Sequence, residues 1–153
     1  VWFVVTPTSP FKKENKTSSI EDRFKMVSIA LEKYKNLLAS DIEFTLETPN
    51  YTANTLMHIT KMHPHYTFGI IMGSDNYQSI NQWKDYKYIL EHFDIYVYRR
   101  PGYTDYSTKK ITNIPGEKMI ISSSYIRDNI SLYSTKNLLD RKVFDYINMR
   151  SLY

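Results

Sequence analysis

Tyr66-Thr67-Phe68-Gly69-Ile70-Ile71-Met72-Gly73-Ser74-Asp75 runs from aromatic and β-branched residues into a glycine, a serine and an acid. Residues 66–72 are too short and too apolar for a surface helix, and the glycine after them ends the run, so this stretch predicts a buried strand. A strand that is apolar throughout belongs in a sheet covered on both faces, and such sheets are mostly parallel with helical crossovers. The remainder of the chain is then expected to alternate strand and helix.

It does so in both directions from this stretch. Residues 1–5 form a short apolar run stopped by Pro7 and Pro10, as a buried strand feeding a loop would be. Ser18 and Glu21 have capping-box spacing, and Ile20, Phe24, Val27, Leu31, Tyr34 and Leu38 recur at helical period. Residues 41–46 alternate as a half-buried strand does, and 53–62 read as a helix with Leu56, Ile59 and Met62 on one face. Beyond Asp75 come a helix near 86–92, a strand over 94–99, a loop through Pro115 and Gly116, a strand over 118–121 and two closing helices. The pattern predicts an α/β Rossmann-like fold: a mostly parallel sheet with helices on both faces, and residues 1–153 as a single domain without repeats or linkers.

Composition suits that expectation. The 153 residues are 42% hydrophobic and 15% aromatic, unlike a disordered chain. There is no cysteine, which excludes disulfides, thiolate ligands and thiol nucleophiles within these residues. No apolar run approaches the roughly 20 residues of a membrane span, and the reading favours a cytoplasmic protein. The formal charge of +4 suits anionic ligands mildly. The 14 tyrosines are scattered without a basic and aromatic stripe, so neither nucleic acid nor a membrane is expected as partner.

Residues 6–13, 73–75, 100–103 and 122–124 all follow the carboxyl ends of predicted strands, the edge at which open α/β sheets bind ligands. Ile121-Ser122-Ser123-Ser124-Tyr125-Ile126-Arg127 places three hydroxyls at a strand-to-helix turn, with Arg127 one helical turn beyond Ser124. Backbone N–H groups, the helix dipole and the arginine would there face a phosphate; a plain serine cap with a surface arginine gives the same letters. Gly73 lets a nucleotide approach the backbone and Asp75 has two oxygens for a ribose diol, although Gly-Ser-Asp also starts ordinary helices. Trp83 stands in a polar stretch, Asn81-Gln82-Trp83-Lys84, where a large ring must cover either a helix end or a ligand. Tyr51-Thr52-Ala53 opens a helix whose first N–H groups suit a carboxylate or simple capping. Lys12 and Lys13 follow two prolines that stiffen their loop, and they serve either a triphosphate or bulk solvent. His58, and His63 with His65 around Pro64, lack metal-site spacing, so no metal ligand is expected among them.

Together these stretches resemble the bacterial nicotinate mononucleotide adenylyltransferases of the nucleotidyltransferase superfamily. Five match in order: Thr6-Pro7-Thr8-Ser9-Pro10-Phe11-Lys12-Lys13; Pro49-Asn50-Tyr51-Thr52-Ala53-Asn54-Thr55-Leu56, similar to Ser-Tyr-Thr-Ala-x-Thr-Leu; Met72-Gly73-Ser74-Asp75 with Trp83; Arg100-Pro101-Gly102-Tyr103; and the triple-serine stretch. The resemblance implies adenylyl transfer from ATP to nicotinate mononucleotide, giving deamido-NAD and pyrophosphate, with Mg²⁺ accompanying ATP. It implies Lys12 and Arg127 as catalytic, and Gly73, Asp75, Ser123, Ser124 and Arg127 around ATP. It implies Tyr51, Thr52, Trp83 and Arg100 around the mononucleotide, with Arg99 the competing choice for the last. Self-association into a homo-oligomer is compatible with it. The family's Gly-x-Phe-x-Pro-x-His-x-Gly-His signature is absent from these residues, and the family's Leu-Pro before the last helix is Leu139-Asp140. The expectation is therefore an N-terminally incomplete member, lacking its first strand, signature loop and first helix, with negligible turnover and low stability on its own. Other readings are a non-catalytic nucleotide-binding module, or a related adenylyltransferase acting on the amide mononucleotide or on phosphopantetheine.

Overall fold

The computed structural model describes residues 1–10, 18–100, 108–115 and 121–153. These form two compact units, one made of residues 1–50 with 121–153 and the other of residues 51–120. The strand expected over 118–121 lies mostly outside the described residues, as do Lys12, Lys13 and the Pro101-Gly102-Tyr103 turn.

In the first unit, β1 (Trp2–Val4) pairs in parallel with β2 (Leu38–Ser40), Phe3 opposite Ala39. The helix between them, α1 (Ile20–Leu31), is the crossover that a parallel pair requires. Its cap is Ser19, one residue later than the sequence suggested: the Ser19 hydroxyl accepts from the Asp22 N–H at 3.0 Å. The helical period does not carry through to Leu38. Leu38 instead starts β2, and the alternating stretch 41–46 is largely a 3-10 turn, Ile42–Thr45, with Glu43 buried. Pairing with β1 decides this, because local alternation cannot distinguish a strand at 41–46 from one three residues earlier.

The rest of this unit is helical: α5 (Ser123–Asp128), the single turn α6 (Tyr133–Lys136) and α7 (Arg141–Met149). Three segments stand where two were expected. Asp140 starts α7, its carboxylate capping the helix by accepting from the Lys142 N–H at 3.0 Å.

α7 lies against α1 through one buried acid. Asp22 accepts from Tyr146 Oη at 2.7 Å, from Ser19 Oγ at 2.9 Å and from Arg150 Nε at 3.2 Å. At the other end of the pair, Glu32 meets Lys142 at 2.7 Å and Lys33 meets Asp140 at 2.8 Å, the first pair well exposed, the second partly, and both individually weak. The hydrogen bond from Tyr146, then those from Ser19 and Arg150, hold the Asp22 carboxyl below its ordinary value of 3.8. A carboxyl depressed on folding contributes stability that is fully present above its unfolded pKa and is lost as pH falls through the lower folded value. Thermal melts of Asp22→Asn and wild type are expected to differ at neutral pH and to converge as pH falls below 3.8. A gap that stays constant into acid would show that the charge plays no part.

In the second unit, β3 (Gly69–Gly73), β4 (Asp94–Tyr98) and β5 (Ile111–Ile114) form a parallel sheet in that order. Around it run α2 (Thr52–Met62), the short α3 (Ser74–Gln78) and α4 (Tyr86–His92). Ile95 and Val97 of the central strand face the core with Met72, Ile111, Ala53, Ile80 and Ile89. The register puts Ile71 opposite Tyr96 on the other face, and both are exposed. β3 is thus less buried than its letters predicted, with only Met72 fully inside, and Tyr66 lies before the strand. Met62, at the end of α2, is exposed as well, whereas Ala53, Thr55 and Ile59 supply the buried face. β5 falls where the sequence suggested only loop. Its four residues, Ile-Thr-Asn-Ile, are brief and polar in the middle, and only pairing with β4 makes them a strand.

Candidate active site

At the carboxyl end of β3 the chain turns directly into α3, with Gly73 as the cap residue and Ser74 and Asp75 in the first turn. Gly73 has φ of −73°, a value any residue adopts, so flexibility does not explain the glycine. Space does. A Cβ at Gly73 would stand 2.3 Å from Asp75 Oδ1 and 2.9 Å from Arg100 Nε. Asp75 and Arg100 are ion-paired across that gap at 3.2 Å. Ser74, fully buried, accepts from the Arg100 N–H at 2.9 Å, which ties the second residue after β4 to the turn following β3.

Tyr51 precedes α2 and makes no side-chain cap bond, its carbonyl accepting from the Thr55 N–H at 3.2 Å, so its side chain leaves the earlier N–H groups of the helix to another partner. Thr52 is the first helical residue, half-buried. Lys84 Nζ lies 4.7 Å over the Tyr51 ring, a cation–π contact that brings a positive charge to the same end of α2. Next to it in sequence, Trp83 closes a 3-10 turn (Ile80–Gln82) and packs half-buried against the core. Its ring therefore does structural work while staying partly exposed. The cation at Lys84 was not legible in the sequence, because nothing in its neighbours signals that Tyr51 lies beneath it.

In the other unit, Ser122 caps α5 by accepting from the Tyr125 N–H at 3.1 Å. Ser123 and Ser124 are thereby left as exposed hydroxyls of the first turn. Arg127 returns to that turn, as its spacing required, donating from Nη2 to Ser124 Oγ at 3.3 Å, while its guanidinium lies 5.9 Å from the Tyr153 ring centroid. Upstream, Arg23 donates to the carbonyls of Thr6 and Pro7 at 2.6 and 3.0 Å. Asn50, buried, binds Thr8 twice, donating from its N–H to the Thr8 carbonyl at 2.9 Å and accepting from the Thr8 N–H at 3.2 Å. These two side chains hold the start of the loop after β1. Their role lies in contacts far apart in sequence, and no local pattern announced it. Truncating the Asn50 side chain removes the acceptor of the part-buried Thr8 N–H and the Nδ2 donor that reaches the buried Glu43 carbonyl at 3.3 Å, so Asn50→Ala is expected to cost about 1–3 kcal/mol in a denaturant melt.

Among the described residues no group of three His, Cys, Asp or Glu side chains could hold a metal, and no helix is long and apolar enough to cross a membrane.

Residues 1–129 match the cytidylyltransferase-like family model. The whole chain aligns at 43% identity with 82% of a probable nicotinate-nucleotide adenylyltransferase of Flavobacterium psychrophilum. The chain belongs to the nicotinate-nucleotide adenylyltransferase family. A member from Bacillus cytotoxicus is 35% identical over the same share of both chains. The fold agrees with the solved structure of Plasmodium falciparum nicotinic acid mononucleotide adenylyltransferase complexed with NaAD, at TM-score 0.81 and 22% identity, covering 99% of this chain and 81% of that one. The same protein complexed with APC matches at TM-score 0.79. This family member places Tyr51, Thr52, Gly73, Asp75, Trp83 and Arg100 in the second unit. Ser123, Ser124 and Arg127 belong to the first. Lys12 falls outside the described residues.

Proposed function

We propose that the protein transfers the adenylyl group of ATP to nicotinate mononucleotide, giving deamido-NAD and pyrophosphate. Membership of the nicotinate-nucleotide adenylyltransferase family carries this reading, and the turn after β3, with a carboxylate at a glycine too crowded for a side chain, is what the nucleotide half requires. A 5′-phosphate oxygen of the mononucleotide attacks the α-phosphorus of ATP, the bond to the β-phosphate bridging oxygen breaks, and pyrophosphate leaves with the electron pair. No side chain is modified. The protein aligns two anions and neutralises charge as it moves toward the leaving group.

In this reading Asp75 accepts hydrogen bonds from the ATP ribose diol. Ser123, Ser124 and Arg127 donate to phosphate oxygens, with Lys12 as a further cation. Magnesium enters with ATP as part of the substrate. Thr52 and the first N–H groups of α2 take the nicotinate carboxylate, the Tyr51 ring keeps Lys84 beside it, and Trp83 stacks on the pyridine ring. A carboxylate gains from the helix end and the ammonium where a neutral amide does not.

The test is pyrophosphate release from ATP by the whole gene product, with nicotinate mononucleotide or its amide as acceptor. Release with the acid preferred supports the reading; equal use of both assigns a broader acceptor. ATP binding without release under either acceptor would favour a non-catalytic nucleotide-binding module. Arg127→Met is expected to lower kcat/KM about 100- to 1,000-fold with either acceptor, as for a lost transition-state donor. Unchanged kinetics would remove Arg127 from the phosphate site.

A further inference from the structure

The Asp75–Arg100 pair joins residues that the family resemblance assigns to different substrates. Arg100 Nε stands 3.2 Å from Asp75 Oδ1, and the Arg100 main chain is fixed independently by its N–H to Ser74 Oγ at 2.9 Å. Oδ1 is closed to solvent and lacks a hydrogen bond, yet the Asp75 side chain as a whole keeps 32% of its exposure. The accessible part of the carboxylate thus lies on its other side, toward Oδ2. Gly73 leaves room for this arrangement and for nothing larger.

We propose that Arg100 is a positioning residue for Asp75: its guanidinium holds Oδ1, turns Oδ2 toward the ribose diol of ATP, and so acts on the ATP half of the reaction and not on the mononucleotide. This rests on the proposed adenylyl transfer only in taking Asp75 as the ribose-binding group. A half-exposed arginine paired to a one-third-exposed acid restrains an angle more than it contributes energy. The expected consequence is a moderate, ligand-specific loss. Any general effect on folding would touch both substrates alike.

The experiment measures dissociation constants of the whole gene product by calorimetry, for ATP, for 2′,3′-dideoxy-ATP and for nicotinate mononucleotide. Arg100→Met should weaken ATP about fivefold, in the range of an exposed ion pair, and leave the dideoxy analogue and the mononucleotide unchanged. Arg100→Lys, which restores a charge without the planar fork, should recover part of the loss. In a double-mutant cycle, Asp75→Asn with Arg100→Met should bind ATP no more weakly than Asp75→Asn alone. Weaker mononucleotide binding with ATP unaffected, or additive losses in the cycle, would overturn the proposal. So would an equal loss for ATP and its dideoxy analogue. If Arg100→Met does not fold, the lysine variant and Arg100→Gln carry the same comparison. Failure of adenylyl transfer alone, with a diol-dependent ATP affinity intact, would overturn the proposed function and leave this inference standing.

Discussion

Replacing Gly73 by alanine is expected to weaken ATP binding by tenfold or more while leaving the melting temperature nearly unchanged. The two outcomes separate because of what the new methyl group meets. Its nearest neighbours are the ends of two side chains, Asp75 Oδ1 at 2.3 Å and Arg100 Nε at 2.9 Å, so the fold can yield by swinging both away. The backbone needs no adjustment at φ of −73°, and alanine there even restricts the unfolded chain, a gain of about 0.4–1 kcal/mol. Function has no such escape, because the displaced groups are the carboxylate taken to hold the ribose and the guanidinium that aims it. Calorimetry with ATP and a thermal melt on the same preparation decide the matter. Retained affinity would mean that Asp75 is not where the nucleotide binds. Gly69→Ala is a useful contrast, since its methyl group would meet the Asp94 carbonyl at 3.1 Å and the Tyr96 ring at 2.9 Å. A main-chain obstacle between paired strands cannot swing aside, so that variant should lose stability.

Ile89→Ala should produce the largest loss of stability, about 2–5 kcal/mol, the range for truncating a fully buried aliphatic side chain. Ile89 has no exposed surface and packs in one cluster with Ile95, Val97, Met72, Ile80 and Ala53. Domains have only about 5–15 kcal/mol in total, so this is a substantial part of it. Trp83 packs against the same cluster, and its fluorescence should follow the transition in urea. A midpoint shift with an unchanged slope would locate the effect in packing; a loss below about 1 kcal/mol would mean that neighbouring side chains collapse into the space.

Several elements were readable from local letters because a local cause produces them. α4 and α2 were found within a residue of their ends, since apolar period and flanking turn residues act within a few positions. The turn at Gly73 and the cap at Ser122 likewise depend on neighbours in sequence. So does the return of Arg127 to Ser124, fixed by three residues of helix.

Other elements were misread wherever a distant partner decides. The strand expected at 41–46 is β2 at Leu38–Ser40 because β1 pairs there, and the last residue of the apparent helical period became the first of that strand. β5 needed β4, and the exposure of Ile71 and Tyr66 belongs to how the sheet is covered, not to their hydrophobicity. The order of motifs was sufficient to point to the family, and the choice of Asp75 and Thr52 as site residues followed from it.

What the sequence by itself determined is the alternation of strand and helix, the placing of the small and charged residues at strand ends, and the family they resemble. These rest on propensities and spacings that act over one or two turns of chain. Only the tertiary structure decided which of the two arginines after β4 reaches Asp75, that Lys84 sits over Tyr51, and that Asp22 joins α1 to α7. Each is a contact between side chains 25 to 128 positions apart. Such contacts form only once the backbone has closed the intervening loop, and no local pattern encodes the direction in which a flexible arginine, lysine or tyrosine then points.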